Sequence, residues 1–167
     1  IIDEPENPDA IPAAQSPLDH GKLVVGYFPE WGVYDRAYFI GDIPAEKLTH
    51  VHYAFAMIMG SDFGMAGSPW LCTPPSDAVP GSYSIAVCDP WATLQKTTFG
   101  TMVGTPATWS DSEANQAGSF QQLQQLKANN PHLKTIISVG GGSLSGDFSA
   151  MSANPVLREQ FVSSVVT

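Results

Sequence analysis

The residues best placed to do chemistry lie in the stretch Lys134-Thr135-Ile136-Ile137-Ser138-Val139-Gly140-Gly141-Gly142-Ser143. A short β-branched run bounded by turn residues suits a buried strand, and three glycines at its carboxyl end let a ligand or another backbone come close. In sheets and barrels built from βα units, ligands sit beyond the carboxyl ends of the strands. Ser138 and the glycines after it therefore mark a candidate site, with a bare strand-to-loop turn as the alternative. Phosphate binding does not fit, because the stretch has neither a Gly-Lys-Ser/Thr ending nor a Gly-x-Gly-x-x-Gly frame.

A second group of residues crowds the connection Glu30-Trp31-Gly32-Val33-Tyr34-Asp35-Arg36-Ala37-Tyr38. Rings clustered outside regular elements form stacking platforms for flat or sugar-like ligands, or they pin the loop to itself. Both readings stay open for Trp31, Tyr34 and Tyr38. His50 and His52 alternate with Val51 and Tyr53, a spacing that two metal ligands can have. No third ligand lies nearby, so structural histidines are favoured and no metal or cofactor is assigned.

The elements that must carry these residues follow a βα order. Residues 1–21 hold Pro5, Pro8, Pro12 and Pro17 among acidic and amide residues and read as a linker or terminal arm. Residues 23–28 predict a first strand that Pro29 keeps from continuing normally, residues 44–48 a helical turn, and residues 49–58 a second strand. From about residue 59 to 119 runs a connection too long for an ordinary βα loop, so an insertion with its own packing is expected there. It carries Trp70, Trp91, Trp109 and both cysteines. Phe120, Leu123 and Leu126 recur at helical spacing before Pro131, the third strand follows, and Asn154-Pro155 opens a further helix. The fold class expected is α/β with parallel strands.

Composition narrows the partners. The chain of 167 residues is 43% hydrophobic and has no apolar run long enough to cross a bilayer, so one soluble domain and no membrane partner are expected. A formal charge of -9, from 16 acidic and 7 basic residues, argues against nucleic acid and favours a neutral or weakly cationic ligand. Only 14% of residues are charged while glycine, proline and aromatics are plentiful, which suits an exported protein. The first residues are acidic and proline-rich, as in a mature or trimmed start. Cys72 and Cys88 lie in one loop-like region, so either a local disulfide in an oxidising compartment or two buried thiols is open, the disulfide being favoured.

Three segments together resemble a known family. Gly26-Tyr27-Phe28-Pro29-Glu30-Trp31-Gly32-Val33-Tyr34, Leu48-Thr49-His50-Val51-His52-Tyr53-Ala54-Phe55 and Ser138-Val139-Gly140-Gly141 resemble the first three strands of glycoside hydrolase family 18, closest to its bacterial chitinase A-like members. The resemblance runs from about residue 22 to the end. It implies a secreted chitinase and the N-terminal portion of a (β/α)8 TIM barrel, about three βα units with a long insertion after the second strand. Such a barrel cleaves β-1,4-linked N-acetylglucosamine polymers with retention, the substrate's own N-acetyl group serving as nucleophile.

The resemblance assigns residues as well. Tyr27 and Ser138 correspond to hydroxyls that support the first aspartate of the catalytic strand, where donors stabilise negative charge in an acidic cluster. Trp31, with Tyr34 and Arg36 nearby, corresponds to a sugar platform on the non-reducing side, and Phe55 to the floor of the cleavage subsite. It also implies a cis Ala54–Phe55 peptide bond. The family's strand of acidic residues, with its general acid, is absent from this sequence, so that acid is expected beyond residue 167 and the remainder of the barrel is needed. Gly142 stands where relatives place a tryptophan that stacks a sugar on the leaving-group side. Two other readings are a non-catalytic, lectin-like chitin-binding member of the family and a stand-alone α/β binding domain.

Overall fold

The structure, a computed structural model, describes residues 21–61 and 79–166. The expected N-terminal arm, apart from Gly21, falls outside these residues, as do Trp70 and Cys72.

Among the described residues the sheet has four strands, three of them parallel. β1 (Val25–Pro29) pairs with β2 (His50–Ile58), and β2 pairs on its other edge with the last strand, β4 (Lys134–Val139). A short strand, β3 (Ile85–Val87), runs antiparallel to the end of β2. Ala56 pairs with both Val87 and Val139. A strand has two edges, so β3 occupies the β1 edge, beyond the point where Pro29 ends β1. The expected first strand shifts accordingly: Leu23 is 72% exposed and outside the ladder, while Pro29 is its last residue. Proline has no N–H to give the next rung, so it can close a strand but not extend it.

Among the described residues the α-helices are α1 (Trp109–Glu113), α2 (Gly118–Asn129), α3 (Phe148–Ala153) and α4 (Pro155–Val166). After β1 the chain makes short 3-10 turns at Glu30–Val33, Ile40–Asp42 and Ala45–Lys47 instead of a full crossover helix. A π-helical turn, Trp91–Gln95, follows β3. α2 forms where the apolar spacing predicts it: Leu123 and Leu126 are buried, and Phe120 meets Tyr53 edge-on at 5.1 Å. Each such buried side chain contributes roughly 1.5–3 kcal/mol. α4 begins as Asn154-Pro155 predicts, with Asn154 Oδ1 accepting the Val156 N–H at 2.9 Å.

The main core fills the space between the sheet and α2, with Phe28, Val51 and Tyr53 from the strands against Leu123, Leu126 and Leu133. The connection before α2 joins this core through Ala92 and Val103, and the buried Gln122 accepts the Val103 N–H at 2.6 Å. A smaller cluster of Met57, Met59, Cys88 and Leu144 lies toward the carboxyl end of β2. Cys88 is 3% exposed and engaged, while its expected partner Cys72 lies outside the described residues.

Candidate functional site

Register places the candidate residues. Tyr27 is level with His52 and Ile136 across the three parallel strands, and Pro29 is level with Ala54 and Ser138. Side chains alternate faces along a strand, so Tyr27 and Ser138 emerge from the same face of the sheet, one two-residue step apart. The opposite face carries the buried Phe28 and Tyr53. Tyr27 is 61% exposed and Ser138 partly exposed, which leaves both hydroxyls open to a ligand or another side chain.

The β2–β4 ladder is interrupted between Ala54 and Ala56, so Phe55 has no opposite number. Such an irregularity re-aims a side chain. Here it turns the Phe55 ring to Trp31, with centroids 6.0 Å apart and planes 25° from parallel. The Ala54–Phe55 peptide bond is cis, as the resemblance implies. Gly141, at φ +80°, passes directly behind the ring: a Cβ there would lie 2.9 Å from Phe55 Cζ. Gly142 differs, because a Cβ on it meets no described atom within 4 Å.

The aromatic loop is both pinned and exposed. Trp31 and Tyr34 are about half exposed, and the Tyr34 ring lies nearly parallel to Trp91 of the π-helical turn, 6.3 Å away. Tyr34 donates its hydroxyl hydrogen to the Asp89 carboxylate. Burial first, and then the adjacent carboxylate, push the Tyr34 hydroxyl pKa up. Tyr38 hydrogen-bonds the Asp42 carbonyl, and Arg36 is exposed two residues beyond Tyr34. Of the other insertion tryptophans, Trp109 is exposed on α1 and Trp70 lies outside the described residues. The histidines are engaged locally. His50 Nδ1 is 2.9 Å from Thr49 Oγ1, and His52 packs against the Tyr27 ring.

Beside the site is a polar network that sequence reasoning missed. Glu30 is 5% exposed; its carboxylate accepts the Thr93 hydroxyl at 3.1 Å and the Asp89 backbone N–H. Thr93 is fully buried and also bonds the Tyr53 hydroxyl at 2.9 Å. Burial raises the Glu30 pKa to about 7, with the negative charge of Asp89 adding to the rise and the two hydrogen bonds opposing it. No local signal announces this contact, which joins residues 63 positions apart.

The arrangement offers stacked rings beside two hydroxyls on one sheet face, a layout suited to a polar ligand with flat apolar surfaces. Comparison with known proteins agrees. Residues 23–167 match the family described as Glycosyl hydrolases family 18. Chitinase A1 of Niallia circulans is 38% identical over 93% of this chain, and Chitinase A of Pseudoalteromonas piscicida 34% identical over 87%. The chain spans 22% and 17% of those two proteins. Among solved structures, chitinase ChiA74 from Bacillus thuringiensis is similar with a TM-score of 0.69 and 38% identity, over 86% of this chain and 24% of that one. The catalytic domain of the psychrophilic chitinase B from Arthrobacter TAD20 follows with a TM-score of 0.63 and 33% identity, over 85% of this chain and 32% of that one.

Proposed function

The chain belongs to family 18 of the glycosyl hydrolases, and from that premise we propose that it forms the first strands of a TIM barrel that hydrolyses β-1,4-linked N-acetylglucosamine polymers. The observation carrying this reading is the placement of Tyr27 and Ser138 on one sheet face beside the Trp31–Phe55 pair. Relatives named as chitinases supply the substrate class. The general acid belongs to the remainder of the barrel, which also covers the open sheet face where Val25, Tyr27 and Ile136 are exposed.

In this reading the chain positions and does not itself transfer a proton. The acid protonates the glycosidic oxygen, the N-acetyl carbonyl oxygen attacks the anomeric carbon, and water opens the resulting ring with net retention. The Tyr27 and Ser138 hydroxyls donate toward the first aspartate of the catalytic strand, stabilising negative charge within the acidic cluster. Phe55 floors the reacting sugar, Trp31 stacks the sugar before it, and Tyr34 and Arg36 extend that side. The test is hydrolysis of chito-oligosaccharides by the full-length protein, with the anomer formed first followed by NMR. Release of the β-anomer is expected, and binding without hydrolysis would overturn the reading.

The chain is exported and Cys72 pairs with Cys88. That Cys88 is not a free thiol supports the pairing, and a disulfide suits the oxidising setting of an exported protein. Closing the loop is worth on the order of 3 kcal/mol in the chain-entropy model. Intact mass after alkylation should show no labelled thiol until reductant is added, and two labels without reductant would refute the pairing.

Gly142 leaves the leaving-group side without a ring. Stacking on a sugar face contributes on the order of 1 kcal/mol, so Gly142→Trp should tighten longer oligosaccharides about five-fold. A Cβ added at Gly142 meets no described atom within 4 Å. Equal affinities of the two proteins for long oligomers would show that this position does not face the cleft.

A further inference from the structure

We propose that Glu30 is a positioning residue for sugar binding: through Thr93 and the Asp89 backbone it holds the insertion's π-helical turn against the loop after β1, so that Trp91 lies beside Tyr34. The inference rests on the reading of Trp31 and Tyr34 as a sugar platform. The geometry is a chain of contacts between two segments distant in sequence. Glu30 accepts from Thr93 Oγ1, which is shared with Tyr53 of β2. Asp89 holds the turn at two further points, its Oδ1 accepting the Ala92 N–H and its carbonyl the Thr93 N–H, both at 2.9 Å. Its other carboxylate oxygen takes the Tyr34 hydroxyl. Two carboxylates thus hold the N-terminal part of one turn, and one of them is buried.

That burial makes the clamp sensitive to pH. The titratable groups around Glu30 are Asp89, Tyr34 and Tyr53. Lys96, the cation of the same turn, is directed to the Trp91 and Phe99 rings instead. A protonated Glu30 leaves Asp89 as the sole negative charge of the pair. Ionisation places a second negative charge beside it, away from water. An acid whose folded pKa exceeds its unfolded one stabilises fully below the unfolded value of 4.5 and loses that contribution as pH rises through about 7. Ionisation therefore favours any opening that returns the Glu30 carboxylate to water, so the turn opens more readily above neutrality than at mildly acidic pH.

Hydrogen exchange on the full-length protein tests this without reference to activity. Protection of residues 89–96, normalised to α2, is expected to fall at least ~10-fold between pH 5 and pH 8. In Glu30→Gln, which keeps an acceptor for Thr93 and cannot ionise, the normalised protection should stay level. A level profile in the wild-type protein overturns the proposal whatever the variant does. Kinetics give the second readout: over the same range the wild-type KM for long chito-oligosaccharides should rise at least ~3-fold relative to short ones, and Glu30→Gln should remove that rise. A KM ratio that rises equally in Glu30→Gln would also overturn it. Absence of any hydrolysis, with the exchange result intact, would count against the proposed function alone.

Discussion

Ser138→Ala and Tyr27→Phe are each expected to lower turnover of chito-oligosaccharides by the full-length protein at least ~10-fold, with stability and KM little changed. Both residues lie on the sheet face opposite the core formed with α2, and each substitution removes one hydroxyl oxygen and no carbon. Loss of a hydroxyl therefore removes a donor and little else. A donor aimed at charge that develops in the transition state acts on kcat more than on ground-state binding. Unchanged turnover in both variants would take these residues out of the site, and a matching fall in thermal midpoint would reassign them to structure.

Gly141→Ala should cost about 2–4 kcal/mol of stability, from an unfavourable positive φ together with overpacking. The added methyl group would meet the edge of Phe55, whose ring already lies against Trp31. Moving Phe55 displaces Trp31 in turn, so oligosaccharide affinity should fall at least ~10-fold, about 1.4 kcal/mol. Denaturant midpoints and binding isotherms check the two halves separately. An alanine variant with wild-type stability and affinity would mean that the ring can step aside freely. The neighbouring position makes the control: Gly142→Ala adds the same methyl group in open space and should change neither quantity.

How legible these features were in the sequence depends on how far apart their causes lie. β4 occupies the residues that its β-branched run and terminal glycines predict, and α2 and the start of α4 follow from apolar spacing, Pro131 and Asn154-Pro155. Such signals are local, because a strand's or helix's pattern is written along itself. The candidate site was legible at Ser138, Trp31 and Tyr34 for the same reason. β3 was not, since three residues carry no distinctive pattern and their pairing is decided by the free edge of β2. Glu30 was hidden altogether: a charged residue in a loop reads as solvated, and only the arrival of Thr93 and Asp89 from far along the chain makes it buried. The Tyr34–Trp91 contact was hidden in the same way, although each ring was visible on its own.

The double pairing of Ala56 has a topographic outcome. β2 has nine residues and β1 five, and their ladder stops at Ala54. The four residues from Phe55 to Ile58 therefore climb about 13 Å above the top of β1, at roughly 3.3 Å per residue. β3 fills that height on the β1 flank and turns it into a continuous parapet, stiffened by main-chain hydrogen bonds where an ordinary rim loop would bend. A linear molecule laid across the strand ends meets a fixed shoulder on this side. The relief of this flank is thereby set by backbone pairing, independently of the side chains that line it.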